Sequence, residues 1–217
     1  MGVKNKDNTY NTLFHWLSFR LRLVLEGIGV GTITGLLIVL YRYVLEKAGI
    51  ILPEIYKTIS IKPILILPWI GALIIIGYIV GLMVKHEPMI GGSGIPQVKG
   101  VLLRKLDMAW WKVIPNKFIG GILTIGSGLS LGREGPSVQL GATVGQGFSK
   151  IFKRLKIEEK YLITCGASAG LAAAFNAPLA GVMFSLEEVH KNLSPLVLLS
   201  ALSAALSAGF VASWFFG

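Results

Sequence analysis

Residues Gly132-Arg133-Glu134-Gly135-Pro136 place a guanidinium and a carboxylate inside a stretch that is otherwise uncharged from Phe118 to Phe148. Ionisable side chains in lipid-compatible sequence are costly and mark a functional path by default. The glycines and the proline break a helix there, and interrupted helices at membrane depth are tolerated where they line a polar cavity. A helix that restarts at Pro136 aims its first amides at that cavity, and such a positive end binds anions. The chemistry indicated is anion handling with a carboxylate at the same spot. Desolvation favours the protonated form of Glu134 and the helix end favours the ionised form, so the group is placed to gain and lose a proton. Ionised, it can occupy the anion site; protonated, it can vacate it. The alternative is a structural ion pair with Arg133, although adjacent residues on a helix point in different directions.

A second loop reads Gly91-Gly92-Ser93-Gly94-Ile95-Pro96. Ser is a favoured helix cap and Pro a favoured first-turn residue. At membrane depth, a hydroxyl and exposed amides offer a partly dehydrated anion a site without a full positive charge, which keeps the anion releasable. An ordinary capped loop between spans fits the same residues equally well. Glu187-Glu188 follow an apolar run and, as residue types, read as a solvated helix end. His86 lies between Lys85 and Glu87 with no second His or Cys nearby, so no metal site is expected. Gly126-Ser127-Gly128 followed by Gly132-Arg133 lacks the Gly-Lys-Ser/Thr ending of a phosphate loop and the spacing of a dinucleotide fingerprint. No enzyme activity and no cofactor are expected; an anion would be cargo.

The elements that must carry these loops are membrane spans. The 217-residue chain is 53% hydrophobic and only 15% charged, against about 25% in a typical soluble domain, and its mean hydropathy is +0.67. The uncharged runs Ile64–Val84, Tyr161–Leu186 and Leu193–Gly217 each reach the roughly 20 residues needed to cross a bilayer. This predicts one integral membrane unit and no separate soluble domain. The net charge of +10 comes from basic residues clustered between hydrophobic runs. That is the positive-inside pattern of cytoplasmic loops, so nucleic acid is not expected as a partner. Cys165 is the sole cysteine, which excludes an internal disulfide, and its apolar setting predicts a buried inert thiol. The N-terminus is basic enough for a signal peptide but lacks the apolar run and cleavage site.

Residues 1–24 are polar and then amphipathic, which predicts a cytoplasmic or interfacial segment with a short surface helix; residues 25–217 would be the transmembrane domain. The first span is predicted at Gly27–Leu45, where Gly27, Gly31 and Gly35 recur every four residues and invite close approach by another helix. The second, Ile64–Val84, carries its own Gly77 and Gly81. Lys99, Arg104, Lys105, Lys112 and Lys117 form one basic cluster; Lys150, Lys153, Arg154, Lys156 and Lys160 form another. With both on the cytoplasmic side, the 31 residues from 118 to 148 must enter and return. Two full spans need about 40 residues, so two short helices broken at Gly132–Pro136 are expected. Tyr161–Leu186 predicts a helix, a break at Asn176-Ala177-Pro178 and a short second helix. In the last run, Ser200, Ala204, Ala208 and Ala212 fall on one stripe suited to tight helix or subunit packing.

Three motifs together resemble the signature segments of the CLC chloride channel and transporter family: Gly92–Pro96, Gly132–Pro136, and the segment from Gly170 through Phe175-Asn176-Ala177-Pro178 to Gly181. Their order and spacing also match, over about residues 20–217. The resemblance implies an all-α integral membrane protein with broken and re-entrant helices, of which this chain supplies one half of an inverted repeat. It implies a homodimer in the lipid bilayer, with one anion pathway per subunit. Gly92, Ser93, Gly94, Ile95, Pro96, Gly132, Arg133, Glu134, Gly135 and Pro136 would form the anion-binding and selectivity segments. Ser93 matches the serine that holds the central chloride, and serine there is typical of chloride-handling members. Glu134 matches the outer gating glutamate. Glu188 matches the internal proton-transfer glutamate of exchangers, which reverses the solvated-end reading of that residue. The implied function is exchange of chloride for protons, and the short, Lys- and Ile-rich chain suggests a bacterial plasma membrane. An uncoupled voltage- or pH-gated chloride channel is the alternative, and a non-transporting half-subunit that needs a partner is a third. The resemblance stops at Gly217, short of the tyrosine and amides that complete the family's chloride site.

Overall fold

The computed structural model describes residues 4–191 and 194–217, with side chains described from residue 19 onward. Eight α-helices account for nearly all of it, and no strand occurs among the described residues. They are α1 (Lys4–Ile61), α2 (Ile66–His86), α3 (Ile95–Leu102), α4 (Trp110–Gly126), α5 (Glu134–Ile151), α6 (Lys156–Phe175), α7 (Pro178–Phe184) and α8 (Pro195–Phe216). A π-helical turn, Ser185–His190, continues α7. Three stretches are long and apolar enough to cross a membrane: Phe19–Ile61, Pro63–His86 and Pro195–Phe216.

The core is a stack of small residues. On α5, Ser137, Gly141 and Gly145 recur every four residues; on α6, Leu162, Gly166 and Gly170 do the same. These rows face each other so closely that a Cβ on Gly141 would strike the Gly166 carbonyl, and one on Gly166 the Gly141 carbonyl. Gly145 meets the Leu162 carbonyl and Gly170 the Ser137 carbonyl in the same way. Without a hydrophobic force between helices in lipid, such backbone proximity is the main source of packing energy. The second seam joins α1 to α8. A Cβ on Gly27 would lie 2.6 Å from the Ser203 hydroxyl, and one on Gly35 3.0 Å from Ala208 Cα. Ser203 and Ser207 also donate hydrogen bonds to the Val24 and Ile28 carbonyls, at 3.2 and 3.3 Å. The glycine repeat of the first span and the Ser200–Ala212 stripe of the last are therefore each other's partners. Gly77 and Gly81 of α2 face open space.

Two helices differ from the sequence expectation. α1 does not end at Leu45; it runs unbroken from Lys4 to Ile61, through the 24/25 boundary and past Pro53. Glu46, Lys47, Glu54 and Lys57 all lie within it; Glu46 is paired with Arg42 and Arg133, and the hydrogen-bonded turns continue through these charges. The two helices around the Gly132 motif are also not short. α4 has 17 residues and α5 has 18, about 26 and 27 Å at 1.5 Å per residue. α4 begins eight residues before Phe118 because Lys112 and Lys117 belong to the helix rather than to the loop preceding it. The helix restarts at Glu134, so Gly135 and Pro136 lie in its first turn. The later break falls where expected: Asn176 adopts a left-handed conformation at φ 55° and Pro178 opens α7.

Gly166→Val is expected to destabilise the fold by about 3 kcal/mol or more, since a backbone carbonyl rather than a flexible side chain must yield. Gly77→Ala is expected to be neutral or stabilising by about 0.5 kcal/mol. Thermal unfolding in detergent, followed by loss of the monodisperse gel-filtration peak, compares the two.

Candidate anion site

α3 and α5 both begin at the same place. The chain enters α3 through Gly92 and Gly94, with φ of 62° and 92°, values that L side chains rarely adopt. Pro96 sits in the first turn of α3. The Ser93 backbone rests directly on the first turn of α5: a Cβ on Gly135 would lie 2.6 Å from the Ser93 carbonyl oxygen and 2.8 Å from Ser93 Cβ. Gly94 likewise abuts the Gln139 side chain. Only glycine at 94 and 135 permits this approach, which brings two positive helix ends to one point. Ser93 is exposed, and its hydroxyl accepts from the Ile95 amide at 3.4 Å. A cavity of about 510 Å³ opens beside these two starts, lined among others by Ser93, Ile95, Lys117, Glu134, Gly135 and Pro136.

Glu134 is half-buried, and its Oε2 folds back over the Cα of Gly132. It does not pair with Arg133. The Arg133 guanidinium instead reaches Glu46 of α1 at 3.9 Å. Glu46 also takes a bond from Arg42 at 3.4 Å, and Arg42 donates to the Ala173 carbonyl near the end of α6 at 3.2 Å. Arg133 thus ties the loop before α5 to α1, and the neighbouring carboxylate faces the cavity without it.

Glu188 lies away from this cavity, on the π-helical turn after α7, with its side chain about half exposed. It forms an ion pair with Lys99 in the last turn of α3. The hydrogen bond from Lys99, then its charge, holds the Glu188 carboxyl below the usual carboxylate range; burial opposes and Lys191 assists. One short helix therefore carries Ser93 at its entrance and the partner of Glu188 near its exit. At eight residues, α3 spans only about 12 Å.

Four residues escaped the sequence reading. Lys99 and Lys117 read as members of a solvated basic cluster, yet both are paired. Lys117 is 4% exposed and donates to the Ile90 and Gly92 carbonyls at 2.8 and 2.7 Å. Gln97 and Gln139 donate to the Gly91 and Met89 carbonyls at 2.7 and 2.6 Å. The signal for Lys117 was present: a single lysine adjoining an apolar run is an intramembrane ionisable residue in need of a partner.

Residues 76–217 match the family described as Voltage gated chloride channel. The chain is similar to the H(+)/Cl(-) exchange transporter ClcA of Citrobacter koseri, at 39% identity over 177 residues, covering 78% of this chain and 37% of that protein. The ClcA of Salmonella arizonae matches to the same extent. Among solved structures, a slow cyanobacterial Cl-/H+ antiporter superposes with a TM-score of 0.80 at 35% identity, covering 90% of this chain and 47% of the other. A eukaryotic CLC transporter superposes with a TM-score of 0.76 at 25% identity, over 91% and 39%. The chain belongs to the voltage gated chloride channel family, and it spans less than half the length of these relatives. It is an all-α, multi-pass membrane protein.

Removing the Lys99 ammonium raises the pKa of Glu188 toward its ordinary value. The titration of the Glu188 carboxyl should therefore move to higher pH in Lys99→Met of the complete protein. Difference infrared spectroscopy of the carboxyl band across a pH series checks this; an unmoved titration would show that the pair does not govern Glu188.

Proposed function

We propose that this chain is part of a chloride/proton exchange transporter of the plasma membrane. Anions would bind at Ser93 and at the amides that open α3 and α5, and Glu134 and Glu188 would carry protons. The observation that supports this most is the direct packing of Ser93 on Gly135, which converges two helix N-termini beside a half-buried carboxylate. Such an arrangement attracts an anion through peptide dipoles without a lysine as direct ligand, and so lets it leave. Glu134, lining the same cavity, competes with the anion when ionised and vacates when protonated. The names of the similar ClcA proteins and of the cyanobacterial antiporter agree with chloride and protons as the transported ions. The family resemblance implies a homodimer, and chloride would be cargo rather than cofactor. Residues 25–217 would be the transmembrane part that carries these groups.

An uncoupled chloride channel is favoured by one observation: Glu188 pairs with Lys99, and a lysine partner disfavours the proton uptake that a proton carrier needs. The reversal potential separates the two. It shifts with an imposed pH gradient for an exchanger and ignores it for a channel.

In liposomes holding the complete protein, Glu134→Gln is expected to abolish proton movement driven by a chloride gradient while chloride flux persists. Chloride flux still tied to protons in that variant would rule the mechanism out.

A further inference from the structure

Four consecutive carbonyls of the loop before Ser93 are each taken by a side-chain N–H from elsewhere in the fold. Gln139 of α5 holds Met89, Lys117 of α4 holds Ile90 and Gly92, and Gln97 of α3 holds Gly91. Gln139 is fully buried and Lys117 nearly so. Burying an ammonium is expensive unless it is hydrogen-bonded, and the Ile90 and Gly92 carbonyls are the acceptors that offset that cost here.

Across a trans peptide the carbonyl and the following N–H point in opposite directions, and no cis peptide occurs among the described residues. Fixing the carbonyls of Gly91 and Gly92 therefore fixes the amides of Gly92 and Ser93 on the far side. The amides of Ile90 and Gly91 close turns onto Glu87 and Pro88. Those of Gly92, Ser93 and Gly94 donate to no backbone carbonyl among the described residues. The loop is glycine-rich, so its peptide planes would otherwise rotate readily. A rotated plane would present a carbonyl oxygen, and hence repulsion, where an anion is to sit.

We propose that Gln139, Gln97 and Lys117 are positioning residues that turn the negative ends of the loop's peptide dipoles inward and leave the Gly92 and Ser93 amides facing the anion. The proposal rests on the anion-site reading above. It makes a distinction that charge alone does not. Lys117 is cationic and would attract an anion in any arrangement, whereas the two glutamines are neutral and act only through the orientation they impose.

The experiment uses the complete protein in detergent for chloride titration calorimetry, and in liposomes for the ratio of chloride to nitrate flux. Gln139→Met and Gln97→Met each remove one donor at nearly constant volume and charge. Each is expected to weaken chloride binding about three- to tenfold, the worth of one hydrogen bond, and to shift the chloride/nitrate ratio. Lys117→Met is expected to weaken it further. Glutamine variants that remain monodisperse and keep wild-type affinity and ratio overturn the proposal. So does an effect confined to Lys117→Met, which would assign the role to charge. If Gln139→Met does not fold, Gln97→Met decides alone, because that side chain is only half-buried. Failure of the wild-type protein to bind chloride would remove the anion site itself, and with it the proposal. Binding by wild type with indifferent glutamine variants removes the proposal only.

Discussion

A helix that stops inside a bilayer leaves peptide groups with no water to turn to, and every one of them must find a partner within the protein. That constraint shapes the region around Ser93 more than any single contact. The loop ahead of α3 meets it with side chains drawn from three helices: Lys117 from α4, Gln139 from α5 and Gln97 from α3 itself. The amides left over are those where two helix ends meet. Chemistry and structural necessity coincide here. The groups that cannot be satisfied internally are donors, and donors attract anions.

The meeting point holds its place because the helices behind it are packed backbone to backbone. α5 is fixed against α6 through Gly141, Gly145, Gly166 and Gly170, whose α-carbons face carbonyls with no room for a methyl group. α6 in turn packs on α1 and α8, closing the largest buried cluster around Val30, Ile38, Tyr41, Leu140 and Leu162. Tyr41 reaches from α1 to lie against Phe118 of α4, with ring centroids 5.4 Å apart. The start of α5 thus inherits its position from three other helices. α2 contributes no buried residue; it leans on α4 and on the turns that precede and follow it, and its Trp69 meets Tyr56 of α1 edge-on with ring centroids 5.9 Å apart.

The broken helices and the two glycine-rich starts were legible because Gly, Pro and a charge in an apolar run have few other meanings. The break at Asn176–Pro178 was legible for the same reason. Partner identities were not. The four-residue glycine spacing on α1 and the small stripe on α8 were each visible, but nothing in sequence joins Gly27 to Ser203. The Lys99–Glu188 pair is separated by 89 positions. Helix ends were misread where charge stood in for a boundary. Lys117 adjoins an apolar run and so calls for a partner, but which carbonyls it takes is seen only in the fold, and Glu46 looks like an end until α1 is seen to run on to Ile61. Charge counts locate where lipid stops; they carry no information about where hydrogen-bonded turns stop.

The seam between α1 and α8 bears on the order of synthesis. The groove at Gly27, Gly31 and Gly35 is filled by residues about 175 positions later in the chain. At about 5–20 residues per second, that is roughly ten to thirty-five seconds of translation. During that interval α1 is already emerging while its matching surface has yet to be made. The groove must then hold acyl chains or a provisional neighbour, and α8 must displace that occupant to close the bundle. Closing the seam is therefore an exchange of one set of contacts for another rather than the filling of a void.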